Sequence, residues 1–355
     1  MPHTQDEISR RLAPPLLCWY RENRRLLPFR VNPTPYGVWV SEIMLQQTRV
    51  AAALEHYRRF MAELPTIAAL AECDEQRLLK LWEGLGYYSR ARNLQKAARV
   101  VMEQHDGQLP ADYKALRALP GIGDYTAGAI GSICFGLPVP AVDGNVLRVF
   151  SRLYDDDSDI TRPDTKRTCT ERVLACMPPD EPGDFNQALM ELGALVCLPG
   201  LAVRCAECPA AEFCQAKASG RAAQLPVKAA PKARRIQPVT VLLVQNSAGE
   251  YLLQQRGAKG LLAGLWQPFL CERALDAQEA AALLDKAGLQ ARYTGPGPIA
   301  KHIFSHIEWQ MHSLCFAAEG QAPAGCVWAN RAALDETYPL PGAFCAYRTY
   351  MMKQS

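Results

Sequence analysis

Four cysteines, Cys197, Cys205, Cys208 and Cys214, fall within eighteen residues with the spacing C-x7-C-x2-C-x5-C. Thiolates grouped on one short loop suit a zinc ion or an iron-sulfur cluster, and ligand count alone leaves both open. Two carboxylates stand out for a different chemistry. Glu42, in WVSEIMLQQTRV, sits beside Trp39, Ile43 and Met44. An apolar wall raises a carboxyl pKa and lets the group stay protonated as a general acid, although a solvated helix-surface glutamate is the commoner fate of this residue type. Asp143, in PAVDGNVLRVFSR, precedes a stripe of Val146, Val149, Phe150 and Leu153. It is an active-site acid or an ordinary helix N-cap.

Two further segments have loop chemistry. In LPGIGDYTAGAI, Gly121 and Gly123 permit a tight turn that exposes backbone N–H groups at the start of the next helix, where dipole and unpaired donors favour a phosphate. The alternative is a plain turn between helices. In WEGLGYYSRARNL, Leu85 and Tyr87 occupy a glycine-flanked loop ahead of a helix carrying Arg90 and Arg92. Such a loop wedges a side chain into a base stack or merely connects helices.

The elements that must position these residues divide in two. From residue 8 to about 200 the pattern is helical. Trp39, Ile43, Val50, Leu54, Tyr57 and Met61 recur at helical steps, and similar patterns cover 66–82, 89–105, 112–118, 124–135, 143–153 and 184–196. Residues 216–237, rich in Ala, Pro and base, lack a sustained apolar stripe and read as a linker. Beyond them PVTVLLVQNSAGEYLLQQR reads as two strands joined at a turn around Asn246 to Gly249. A helix is predicted over 276–287 and strands over 299–304, 309–317 and 326–329, giving an α+β domain over 238–355 behind an all-α domain over 1–215.

Composition narrows the function classes. The 355 residues favour two or three domains, and 49% hydrophobic against 21% charged residues is ordinary for a globular protein. A formal charge of +3, from 39 bases and 36 acids, identifies no partner by itself. No apolar run approaches the roughly 18 residues that a membrane-spanning helix needs. The start, MPHTQDEISRRL, places acids and bases where a signal peptide would be apolar, so a cytoplasmic protein is expected. In that compartment thirteen cysteines favour metal binding or buried thiols over disulfides.

The order SEIMLQQT, WEGLGYYSR, LPGIGDYTAGAI, VDGNVLRV and then a four-cysteine loop closely resembles the helix-hairpin-helix DNA glycosylases, and within them the adenine DNA glycosylase (MutY) family, over almost all of residues 8–215. The resemblance implies an all-α helix-hairpin-helix glycosylase domain in which Cys197, Cys205, Cys208 and Cys214 hold a [4Fe-4S] cluster. It also implies a MutT-like (Nudix-like) second domain, containing GLLAGLWQPF and HIFSH, that reads oxidised guanine. The implied partner is double-stranded DNA containing adenine opposite 8-oxoguanine or guanine, bound by a monomer with no membrane association. The implied reaction is hydrolysis of the N-glycosidic bond of that adenine, in base excision repair. Glu42 would protonate the adenine ring. Asp143 would face the cationic sugar, a division of labour shared with other glycoside chemistry. Tyr125 would orient the sugar or Asp143, with Asn145 near the same site. Arg30 would pair with phosphate or an acid, Gln47, Thr48, Leu85 and Tyr87 would handle the oxidised guanine and its stack, Gly121 and Gly123 would meet phosphate, and Ser305 and His306 would form the reader loop.

Tyr125 stands where the lyase members of the superfamily carry lysine, and a phenol cannot form a Schiff base. A monofunctional glycosylase is therefore expected over an endonuclease III-like glycosylase and lyase for oxidised pyrimidines. A non-catalytic mispair-binding protein is the rival outside enzymes. CERALDAQEAAALLDKAG lacks the clustered acids of a magnesium-binding Nudix helix, so the second domain is expected to bind without hydrolysing. Two positions depart from the family pattern: seven rather than six residues separate Cys197 from Cys205, and Phe29 stands where tryptophan is common.

Overall fold

The apolar stripe expected from Trp39 to Met61 is broken into two helices. In the computed structural model, which describes residues 5–230 and 233–353, helix Pro35–Leu45 ends at Gln46, and Val50–Glu63 begins after Gln47 takes φ +59°. The apolar positions stay in phase across this turn, so sequence periodicity does not reveal it. The predicted span 66–82 is divided in the same way, into Ile67–Glu72 and Glu75–Leu81, because the Asp74 side chain accepts from the Arg77 amide and starts a new helix. Helices Ser89–Gln104, Tyr113–Ala118, Asp124–Phe135, Gly144–Leu153 and Pro182–Leu195 lie where the patterns placed them. Pro163–Cys176 is an additional helix, polar and without a marked stripe to betray it.

Two compact units result: Met1–Glu72 with Asn93–Ala230, and Cys73–Arg92 with Pro231–Ser355. In the first unit Leu12, Leu16 and Tyr20 pack with Val146, Phe150, Phe185 and Leu189 in one core, which puts Gly144–Leu153 and Pro182–Leu195 at its centre. Burial at about 25 cal/mol per Å² of apolar surface is the main force holding these helices together.

The second unit is built on a seven-stranded mixed sheet: β1 Arg235–Gln245, β2 Tyr251–Gln255, β3 Trp266–Cys271, β4 Ala291–Pro296, β5 Ala300–Ile303, β6 Ile307–Ala318 and β7 Cys326–Ala329. The order is β4-β6-β1-β3-β2-β7 with β5 also beside β6. β1 and β6 run parallel, in register from Arg235 opposite Ile307 to Gln245 opposite Ala317. Both faces of β1 are covered, Val239, Val241 and Leu243 by Tyr347 and Met351, and Leu242 and Val244 by Ala280 and Leu284. This explains its unbroken apolar run, since alternation appears only where one face is wet. The predicted hairpin turn is present, but β1 and β2 are in register only at Gln245 and Tyr251 before diverging around β3.

The domain limits expected from the sequence and the compact units differ at two places. Residues 216–230, read as linker, include helix Gln215–Ala218 and bury Ala216, Ala222 and Leu225, while Arg152 Nε donates to the Leu225 carbonyl at 3.0 Å. Short, isolated apolar residues made this packing invisible as a stripe. Residues 231 and 232 of the expected linker lie outside the described residues. Residues 73–92, in the middle of the expected helical domain, group with the second unit through tertiary contacts that no local pattern encodes. Among the described residues no single helix is long and apolar enough to cross a membrane.

Candidate active site

One cleft of the first unit is lined by Glu42, Tyr125, Asp143 and Asn145, together with Arg25, Arg30 and Glu191. Glu42 arrives on helix Pro35–Leu45, started by Pro35 in its first turn and by Thr34, whose hydroxyl accepts from the Gly37 amide at 3.1 Å. Nearly every residue of that helix is buried, and Glu42 is only 6% exposed. Burial pushes its carboxyl above the ordinary glutamate range, against the Tyr125 hydrogen bond and the Arg30 charge, while the nearby Asp143 adds to the rise. The Tyr125 hydroxyl donates to Glu42 Oε2 at 2.6 Å. Tyr125 thus holds Glu42, a partner not named in the sequence reading, which gave it the sugar or Asp143 to orient.

Asp143 is placed by a close approach. A Cβ on Gly128 would lie 2.0 Å from the Pro140 carbonyl oxygen, so only glycine lets helix Asp124–Phe135 receive the chain leading to Asp143. Buried Asn186 secures the same segment: its Oδ1 accepts from the Ala141 amide at 3.1 Å and its Nδ2 donates to the Val139 carbonyl at 2.9 Å. The N-cap reading of Asp143 is met, and the residue also lines the cleft. Its Oδ1 caps helix Gly144–Leu153 by accepting from the Val146 amide at 2.8 Å, and its Oδ2 accepts from Asn145 Nδ2 at 2.7 Å. Burial raises its pKa, against these hydrogen bonds and the Arg148 charge.

Glu191 has side-chain exposure of 0% and faces the same cleft with the opposite electrostatics. Arg25 Nη2 and Arg30 Nη1 each approach its Oε1 at 2.5 Å. Burial pushes this carboxyl up, but the two guanidiniums together outweigh it and hold the pKa below the usual value.

The hairpin supplies the rim. Gly121 has φ +78°, and a Cβ there would meet Asn93 Cβ at 2.7 Å, so glycine is required twice over. Gly123 begins helix Asp124–Phe135 without a capping side chain, which leaves first-turn N–H groups for an anion. Both glycines, with Gln47 and Thr48, line the cleft.

All four clustered cysteines line one separate pocket of the first unit. Arg152 enters it from helix Gly144–Leu153: Nη1 lies 3.2 Å from Cys197 Sγ, and Nη2 is buried with no hydrogen-bond acceptor among the described residues. Four soft donors and an orphaned cationic N–H fit a group carrying anionic sulfur. Among the described residues no three His, Cys, Asp or Glu side chains converge closely enough for a single ion. One turn earlier on the helix, Arg148 donates to the Cys197 carbonyl at 2.8 Å and to Asn145 Oδ1 at 2.9 Å, so the cysteine loop and the Asp143 end of the helix share a brace.

Residues 40–174 match the family described as HhH-GPD superfamily base excision DNA repair protein, and residues 240–347 match the NUDIX domain. The adenine DNA glycosylase of Homo sapiens is 36% identical over 88% of this chain and 68% of its own length. That of Rattus norvegicus is 37% identical, over 87% and 71%. The chain belongs to the adenine DNA glycosylase family. Among solved structures, a thermostable thymine-DNA glycosylase superposes with a TM-score of 0.54 at 25% identity, covering 61% of this chain and all of its own. A non-covalent endonuclease III–DNA complex gives 0.52 at 23% identity, over 62% of this chain and 98% of its own, which speaks for the fold alone.

In this glycosylase the remaining sequence-predicted residues lie in the second compact unit. Tyr87 is half exposed at φ +45°, and its hydroxyl is 3.2 Å from Ser305 Oγ. Leu85 is buried rather than projecting. His306 accepts from the Arg235 amide through its carbonyl at 3.2 Å, which anchors the start of β1. Sequence reasoning missed Arg25, Asn186 and Glu191. The one local signal for the last was an acid inside the apolar run NQALMELGAL.

Proposed function

We propose that the glycosylase hydrolyses the N-glycosidic bond of adenine opposite 8-oxoguanine or guanine in double-stranded DNA, as a monofunctional enzyme acting as a cytoplasmic monomer. The observation that carries this reading is the buried, pKa-raised Glu42 held by Tyr125 in the same cleft as Asp143. The relatives' printed name, adenine DNA glycosylase, supports the substrate.

The cleft divides the work. Adenine leaves the stack at a cost of a few kcal/mol, less at a mispair. Glu191 as acceptor and Arg25 as donor complement an adenine edge, which offers the N6 amine and a ring-nitrogen acceptor. Glu42, whose burial favours the protonated form, gives its proton to the ring and makes the base a neutral leaving group. Tyr125 fixes Oε2 and leaves Oε1 to carry that proton. Asp143, oriented by Asn145 and the Val146 amide, faces the oxocarbenium-like sugar, whose positive charge draws its pKa down as the bond breaks. Water then completes hydrolysis. The lysine on the cleft wall, Lys166, is exposed, whereas an amine nucleophile is activated by desolvation or a neighbouring cation.

Gly121 and Gly123 receive backbone phosphate, with Gln47 and Thr48 beside the orphaned guanine. Tyr87, Ser305 and His306, in the second unit, carry the reading of oxidised guanine that the resemblance implies, with Leu85 buried in the Tyr87 loop. The second domain binds without hydrolysing. Cys197, Cys205, Cys208 and Cys214 would hold a [4Fe-4S] cluster, which when bound would brace the loop behind Asp143 through Arg148. Base-release assays on duplexes with adenine opposite 8-oxoguanine, guanine or thymine test the reading. Release is expected for the first two, fastest for 8-oxoguanine, with no borohydride-trapped enzyme–DNA adduct. Equal release opposite thymine, or a trapped adduct, contradicts it.

A further inference from the structure

The segment Cys73–Arg92 packs with Pro231–Ser355, although it interrupts the helical domain in sequence. Its helix Glu75–Leu81 ends on a buried charge pair that the base-release chemistry does not use. Lys80 Nζ lies 2.6 Å from Glu83 Oε2 and donates to the carbonyls of Leu334 and Tyr338, both at 3.2 Å. Those carbonyls belong to helix Arg331–Glu336 and the turn after it, where unpaired acceptors await a cation. Glu83 Oε1 in turn accepts from the Leu340 amide at 3.2 Å and lies 3.5 Å from Arg348 Nη1. Side-chain exposures of 9% for Lys80 and 13% for Glu83 make the pair costly to break, because either charge alone would stay desolvated.

The other end of the segment is the loop bearing Tyr87. Gly84, Gly86 and Tyr87 all have positive φ. Trp82 Nε1 donates to the Gly86 carbonyl at 3.1 Å and Arg90 Nη2 to the Leu85 carbonyl at 2.8 Å, while the Arg90 guanidinium lies over the rings of Trp82 and Tyr87. The Tyr87 hydroxyl then reaches Ser305 Oγ at 3.2 Å. Nothing between Glu83 and Tyr87 is longer than a tight turn, so the placement of Lys80 and Glu83 sets where Tyr87 starts.

We infer that the Lys80–Glu83 pair is a positioning lock that fixes the Tyr87 loop against the Ser305 loop, so that discrimination of the base opposite adenine depends on residues that touch neither base. The inference rests on the reading of Tyr87 and Ser305 as contacts to the opposite base. Lys80 and Glu83 are positioning residues, and their signature is a change in preference rather than in chemistry.

The test is single-turnover adenine release from duplexes with adenine opposite 8-oxoguanine or guanine, using the full chain and the variants Lys80→Met, Lys80→Arg, Glu83→Gln, Ser305→Ala and Lys80→Met with Ser305→Ala. The ratio of the two rates within one preparation is independent of the folded fraction, so partial loss of fold in one variant does not obscure it. Lys80→Met and Glu83→Gln should each lower the preference for 8-oxoguanine by roughly fivefold or more, with release opposite guanine held within about twofold. Lys80→Arg should restore most of the preference, and Lys80→Met should add nothing further to Ser305→Ala. A preference unchanged in Lys80→Met and Glu83→Gln, an equal loss on both duplexes, or losses that multiply in the double variant would overturn the lock. Absence of any preference in the unaltered protein would instead overturn the reading of Tyr87 and Ser305.

Discussion

Glu42 and Glu191 face one cleft from two helices, both buried, and their carboxyl groups are driven in opposite directions. Around Glu42, Tyr125 supplies one neutral donor and Arg30 acts through its charge alone, while a second carboxylate lies close by, so burial wins and the pKa rises. Around Glu191 two guanidiniums close on Oε1, and their attraction overcomes the same burial. Burial therefore does not set the protonation state of a cleft carboxylate. The partner does, and the cleft keeps one carboxyl fit to give a proton beside another fit only to accept hydrogen bonds.

Glu42→Gln should have the largest effect. Removing a general acid costs about 10²–10⁴ in rate, so single-turnover adenine release should fall by that much while duplex binding persists. The sign on stability is opposite. The folded pKa of Glu42 lies above its unfolded value, so its contribution is intact below the unfolded pKa and lost as pH rises through the folded one. Glu42→Gln should therefore be at least as stable as the unaltered protein at neutral pH in urea unfolding. A stability loss with release intact would reverse the assignment.

Glu191→Gln comes next, because it leaves two guanidiniums facing a neutral amide. Breaking a buried pair from one side costs about 3 kcal/mol, which urea unfolding at neutral pH would read. Here the folded pKa is below the unfolded one. The stabilisation is present above the unfolded pKa and lost as pH falls through the folded pKa, so the difference from the variant should shrink in acid. A difference that persists in acid would mean that packing, not charge, is lost.

Asp143→Asn separates chemistry from capping. Asparagine caps a helix about as well as aspartate, but its amide would face the Asn145 Nδ2 donor, so stability should fall by about 1 kcal/mol. Adenine release should fall by at least tenfold, because the carboxylate facing the sugar is gone. Tyr125→Phe is the smallest change. Its hydrogen bond lowers the Glu42 pKa, so its loss, worth about 1 kcal/mol, should move the alkaline limb of the release rate to higher pH.

Much of this was legible in sequence where chemistry and local signal coincide. Glu42 and Asp143 sit beside an apolar stripe and a helix start, and the cysteine spacing marks a single loop. The kink at Gln47 was hidden because the stripe stays in phase on both sides. Glu191 was hidden because its partners stand more than 160 positions away, and nothing local to NQALMELGAL announces two arginines. The attachment of Cys73–Arg92 to the second unit was hidden for the same reason, since Lys80 and Glu83 look like an ordinary helix-surface pair until their backbone partners at 334, 338 and 340 are seen.

The most direct measurement is of the Glu42 proton itself. Infrared difference spectra of the free protein across a pH titration, with Glu42→Gln subtracted, isolate the carbonyl stretch of this one carboxyl group. A protonated-carboxyl band that persists above the pH range where exposed glutamates ionise, and that is absent from the variant, is the expected result. A band that titrates away together with the exposed carboxylates would contradict the account.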